Sequence, residues 1–200
     1  MKGSLIILSF FATGLLLGAF RWLPPSLLDY NVSFYVLCAL MFTVGISIGN
    51  DPDTFRQFRS LDSRLILLPV MTVAGTWLGV IAVSVFIKNR SLADCLAVGS
   101  GFGYYSLSSI LITQCKGAEL GTIALLSNIM REVITLLFAP WMVRYFGNLA
   151  PISAGGAATM DTTFPIIIKY SGKDYAIVSI YQGFIVDFSV PFLVTFFCSL

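Results

Sequence analysis

The sequence predicts an all-α integral membrane protein. It has about seven membrane elements, two of them glycine-broken helices, discontinuous or re-entrant, within an internal repeat. Three observations predict this class. Of 200 residues, 57% are hydrophobic and 11% charged, with a mean hydropathy of +0.88, whereas soluble domains carry about 25% charged residues. Apolar runs of bilayer-spanning length, about 20 residues, recur along the chain. Two of those runs are interrupted by glycine and hydroxyl residues where an intact helix would place neither.

The first element covers roughly residues 4–21 and follows Lys2 as "GSLIILSFFATGLLLGAF". It mimics a signal peptide, with a conceivable cleavage site after Ala19. Further membrane segments follow it, so it reads as an uncleaved first helix. The second element, 34–49, ends in "TVGISIGNDPD". Gly45 and Gly49 form a small-residue packing face. Asn50 and Asp51 then sit at the membrane edge, either as a helix stop before Pro52 or as a candidate gate or ion site. The third element is 64–87. These three form an N-terminal part, residues 1–91, ahead of a transport core at 92–200.

The fourth element, 92–114, contains "VGSGFGYYSLSSIL", with three glycines, four serines and two tyrosines between Val98 and Leu111. The fifth, 120–143, is a long apolar helix. The sixth, 152–168, contains "SAGGAATMDTTFP" and is broken in the same manner. The seventh is 175–199. The two broken elements match at an offset of 55 residues: Gly101 falls on Gly156, Gly117 on Gly172, Glu119 on Asp174 and Glu132 on Asp187. Such repeats with broken helices at corresponding positions are typical of transporters. The repeat units are parallel if the broken elements cross the membrane, and inverted if they turn back.

If every element crosses and the N-terminus is cytoplasmic, seven cations lie inside (Lys2, Arg56, Arg59, Arg64, Lys116, Lys169, Lys173). Four lie outside (Arg21, Lys88, Arg90, Arg144). That excess favours a cytoplasmic N-terminus in a multi-pass inner-membrane protein.

Ionisable groups inside spans cost at least ~2.5 kcal/mol each and mark functional sites. Four stand out: Arg131, Glu132, Asp161 and Asp187. Asn128 and Glu132 share a helix face, and Gln182 precedes Asp187. Asp161 lies among Thr159, Thr162 and Thr163. An ion pair of Arg131 with Glu132 or Asp187 would tie helices together. Yet one arginine cannot neutralise three acids, so surplus negative charge suits a cationic substrate or bound protons. A helix break frees backbone groups that are tolerated only where they line a cavity or bind something. Small-residue helix packing is the alternative explanation of the glycines.

The segments "SGFGYYSLSSILIT", "NIMREVITLLFAPWMV", "GGAATMDTTFPIIIKYSG" and "GFIVDFSVPFLV" resemble the C-terminal two-thirds of the LysO-type lysine exporters of bacteria. The upstream "VGISIGND" is similar to a segment of the same family. The resemblance implies export of L-lysine and its analogue thialysine, by proton-coupled antiport. It implies site roles for Gly101, Gly103, Tyr105, Ser106, Ser108, Asn128, Arg131, Glu132, Asp161 and Pro165. Full-length members resemble this chain plus further N-terminal spans. A small membrane subunit or a second copy of the chain is therefore the expected partner.

Other classes fit less well. Transport of another amino acid, or of an organic anion held by Arg131, keeps the site and changes the cargo. A non-transporting membrane subunit is a further alternative. No enzyme signature is present and no cofactor is implied. The absence of histidine excludes a His-ligated metal site. A net charge of +2 implies no nucleic-acid partner. Cys38, Cys95, Cys115 and Cys198 have no paired spacing and read as small apolar residues.

Overall fold

The computed structural model describes residues 63–200 except Lys88, together with the isolated helical positions 13, 17, 35, 39, 42 and 46. Apart from those positions, the first two expected elements lie outside the described residues, as does the candidate gate at Asn50 and Asp51. Contacts divide the chain into two units, Met1–Asn50 and Asp51–Leu200.

The described residues of the second unit form helices joined by turns, with no strand among them. After a helical turn at Ser63–Ile66 come α1 (Leu68–Ser84), α2 (Leu92–Gly99), α3 (Tyr105–Lys116) and α4 (Ala118–Phe146). They are followed by α5 (Ala150–Gly155), a 3-10 segment (Gly156–Met160), α6 (Phe164–Ser171), a second 3-10 turn (Lys173–Tyr175) and α7 (Ala176–Cys198). α4 and the stretch Lys173–Cys198 are each long and apolar enough to cross a membrane. At 1.5 Å per residue, α4 is about 43 Å long.

Local chemistry explains the boundaries. Ser91 starts α2 with a capping box. Its hydroxyl accepts from the Asp94 N–H at 3.0 Å, and the Asp94 carboxylate accepts from the Ser91 N–H at 3.3 Å. Gly117 joins α3 to α4 at φ 93°, and Gly172 joins α6 to the last helix at φ 104°, a region that favours glycine. The order of short helix, break, helix, glycine turn and long helix thus occurs twice.

Each broken element turns back on itself. In the first, Asp94 near the start of α2 pairs with Lys116 at the end of α3 at 3.5 Å. Arg90 pairs with Glu119 at the start of α4. The two limbs therefore share a base at the N-terminal end of α4, and their tip is Ser100–Tyr104. In the second, the Asn148 amide donates to the Tyr175 hydroxyl at 3.3 Å. Leu149 and Tyr175 also join a cluster around Ile152, Ile167 and Val178. This second base lies at the C-terminal end of α4. The hairpins therefore enter from opposite ends of α4, the inverted arrangement of the two units.

Their tips meet. The Ala157 N–H donates to the Phe102 carbonyl at 2.9 Å. Phe102 is fully buried at φ 45°. Gly156 has φ 61°, and a Cβ there would overlap the Phe102 carbonyl oxygen. α1 runs antiparallel to α4, from the second base to the first. Leu65 and Leu68 pack on the Ile152 cluster, and the Tyr181 hydroxyl donates to the Ile66 carbonyl at 3.3 Å. Many large apolar side chains of α4 and α7 point outward, among them Leu126, Leu137, Phe146, Phe188 and Phe192.

Gly156→Ala combines positive-φ strain, about 1–3 kcal/mol, with a clash at the tip-to-tip contact. The expected result is a melting temperature in detergent several degrees below wild type; an unchanged melting curve would contradict this account of the tips.

Candidate functional site

The site is built on the middle of α4, which reaches both tips. Asn128 serves the first. Its carbonyl oxygen accepts the Gly103 N–H at 2.7 Å, and its amide donates to the Ala124 carbonyl at 2.8 Å and to the Ser108 hydroxyl at 3.4 Å. Ser108 in turn donates to the Tyr104 carbonyl at 2.7 Å. Gly101 lies under the Asn128 amide with no room for a Cβ. Gly101, Gly103, Ser108 and Asn128 thus form one buried cluster.

Arg131 serves the second tip. Its Nε donates to the Ala154 carbonyl at 2.7 Å and one terminal nitrogen to the Ser153 carbonyl at 3.1 Å, where α5 ends. The other terminal nitrogen donates to Thr76 of α1 at 3.3 Å. The guanidinium also stands 5.8 Å from the centre of the Phe102 ring, so it holds both tips together. The ion pair of Arg131 with Glu132 or Asp187, weighed from the sequence, is not formed. Carbonyl oxygens occupy the guanidinium instead, because the end of α5 leaves them without donors.

The acids are therefore left to themselves. Asp187 is buried on α7 at 8% exposure. Asp161 closes the 3-10 segment and is exposed, its carboxylate accepting from the Thr162 N–H and hydroxyl. The packing of α7 places Asp187 near the second tip. Gly183 is pressed against Met160 and Thr159, and Ser179 and Thr159 exchange two hydrogen bonds at 2.8 and 3.0 Å. Asp187 is one turn beyond Gly183, on the same face. Pro191 has no N–H for the carbonyl four residues back, which is that of Asp187.

Glu132 is partly buried on α4, one turn beyond Asn128, with no hydrogen bond or ion pair among the described residues. Thr163 is buried and donates to the Ala158 carbonyl at 2.9 Å, whereas Thr162 is exposed beside Asp161. Tyr105 and Ser106 are exposed at the start of α3, and Pro165 lies in the first turn of α6. Gln182 is fully buried and donates to Thr72 at 2.9 Å.

Sequence reading missed Thr72, Thr76 and Trp77. The Trp77 indole donates to Ser100 at the first tip at 3.0 Å. The spacing of Thr72 and Thr76, four apart on α1, is the one sequence signal that marks a polar face there. A cavity of about 500 Å³ lies between α1, α2 and α4. It is lined mostly by apolar side chains and contains neither Asp161 nor Asp187, so it does not suit a charged ligand.

Fold and site together define the class: an all-helical bundle with helices of membrane-crossing length around an acidic centre. The family follows from comparison with known proteins. A family model described as the lysine exporter LysO matches residues 8–198, and the chain belongs to that family. The lysine exporter LysO of Escherichia coli is 34% identical over 167 residues, 84% of this chain and 55% of that protein. A putative lysine exporter of Haemophilus influenzae is 32% identical over 195 residues, 96% of this chain and 97% of that protein. The chain thus spans about half the length of the Escherichia coli relative. No solved structure matches.

Asn128→Ala leaves the Gly103 N–H buried without an acceptor, a loss of about 1–3 kcal/mol. Arg131→Lys keeps the charge but loses the fork that reaches two carbonyls and Thr76. Both variants should unfold at lower temperature or denaturant than wild type; equal stability of Arg131→Lys would show that charge alone is needed at that position.

Proposed function

We propose that the chain is an L-lysine exporter of the cell inner membrane, a multi-pass secondary transporter that also carries thialysine and exchanges its cargo for protons. The observation that carries the reading is the meeting of two hairpin tips beside Asp161 and Asp187, half-way along α4, in a chain of the LysO family. A bilayer tolerates such irregular backbone only where it is buried in protein or lines a cavity.

Two carboxylates held close together repel one another, so their neighbourhood favours a cation or a bound proton. Lysine enters with its side-chain ammonium at Asp161 and Asp187. Its α-carboxylate meets the N-terminal turn of α3, at Tyr105 and Ser106, where free N–H groups favour an anion. Glu132 takes up or releases protons. If the same acids hold either ammonium or protons, filling by one excludes the other, and that exclusion is the coupling. Arg131 is engaged by carbonyls, which disfavours an organic anion as cargo.

Residues 92–200 form the transport core, and residues 1–91 an N-terminal part. The first hairpin enters from outside and the second from the cytoplasm. Arg144, Lys169 and Lys173 lie at the second base. Cations at the first base include Arg90 and Lys116, both ion-paired. An excess of cations at the second base favours a cytoplasmic second base and N-terminus. A small membrane subunit or a second copy of this chain completes the assembly.

Glu132→Gln and Asp161→Asn should each abolish lysine efflux while the protein still inserts; wild-type efflux from either would remove the acids from the mechanism. In a cysteine-free background, Glu119→Cys should react with an impermeant thiol reagent from outside and Asp174→Cys only from the cytoplasmic side. Labelling of both from one side would sink the inverted-hairpin topology.

A further inference from the structure

The cavity of about 500 Å³ between α1, α2 and α4 runs along α4. Leu120 and Ser127 line it from α4, and Gly79 and Val83 from α1. From Leu120 to Ser127 the helix rises about 10 Å. One end lies at the first base, where Arg90 lines it. The other end is Thr76, which also holds Arg131. Between these ends the walls are mostly apolar. Val83, Ile87 and Ile123 line the cavity and are also exposed, so it opens sideways from the bundle. Arg90 is ion-paired with Glu119, whose carboxylate is exposed. A cation and an anion therefore stand side by side at the mouth of an apolar space.

We propose that this cavity is a phospholipid site. One acyl chain lies in it alongside α4, and a zwitterionic headgroup with a primary ammonium rests on Arg90 and Glu119. Apolar cavities stay dry and take up apolar guests. A guanidinium matches a phosphate through two parallel N–H bonds. The primary ammonium has N–H donors for the exposed Glu119 carboxylate. A quaternary ammonium has none, and a headgroup without any cation sets its phosphate against a second anion. An exposed ion pair is weak, so opening it to admit both charges costs little. The direction also fits. The first base lies at the membrane boundary in the topology above, and the cavity leads from it toward the middle of α4. The chain touches both α1 and Gly99, just below the first tip. This rests on the membrane-spanning reading above and is independent of the cargo.

The experiment is native mass spectrometry of the purified full chain in detergent, with phosphatidylethanolamine, phosphatidylcholine or phosphatidylglycerol added in turn. Wild type should bind phosphatidylethanolamine with a Kd about tenfold below that of either other lipid. That lipid should also raise its melting temperature most. A Cβ at Gly79 meets no atom, so Gly79→Phe fills the cavity without a clash. It should stay folded and lose the bound lipid. Glu119→Gln leaves the cavity intact and should bind phosphatidylethanolamine and phosphatidylcholine equally. Undiminished binding by a folded Gly79→Phe overturns the proposal, as does equal binding of the three lipids by wild type. If Gly79→Phe does not fold, Glu119→Gln decides, and an unchanged preference for phosphatidylethanolamine overturns the headgroup assignment. A wild-type chain that stays in solution without detergent removes the membrane-spanning reading itself. A detergent-solubilised chain that holds no phospholipid removes this proposal alone.

Discussion

The hydrogen bond from the Ala157 N–H to the Phe102 carbonyl is the contact on which the rest depends. Two chain breaks deep in an apolar bundle each leave backbone groups without partners, and such groups are costly where water does not reach. Placing the breaks against one another lets each satisfy part of the other. The approach is possible because Gly156 has no Cβ and because Phe102 adopts a positive φ that its burial enforces. What the tips cannot supply to each other, α4 provides. Asn128 takes the Gly103 N–H, and Arg131, three residues on, takes the carbonyls at the end of α5. One turn of one helix therefore holds both hairpins.

That use of Arg131 has an electrostatic consequence. The one cation in the middle of α4 is tied to neutral oxygens, so neither Asp161 nor Asp187 pairs with it. The ion pairs among the described residues, Arg90 with Glu119 and Lys116 with Asp94, lie at the base of the first hairpin, away from the tips. No cation among the described residues pairs with Asp161 or Asp187.

The helical class was legible in the sequence, because apolar runs act locally, and the glycine clusters lie where described helices stop. The paired glycines Gly117 and Gly172 were legible for the same reason. Of the site, Asp161 and Asp187 were legible as unusual charges, and the comparison of Glu132 with Asp187 marked the repeat. The partner of Arg131 was not, since carbonyl oxygens leave no trace in composition.

The sequence by itself determined that the chain is apolar, helical and interrupted twice by glycine, and that more negative than positive charge lies within its spans. Those properties belong to single residues and to their nearest neighbours along the chain. Only the tertiary structure decided that each interrupted element turns back, that the two enter from opposite ends of α4, and that their tips join. The physical reason is that a break merely frees backbone groups. Where the chain goes afterwards depends on which distant donor or acceptor satisfies them, and here those partners lie 25 residues away at Asn128 and on the other hairpin at Ala157.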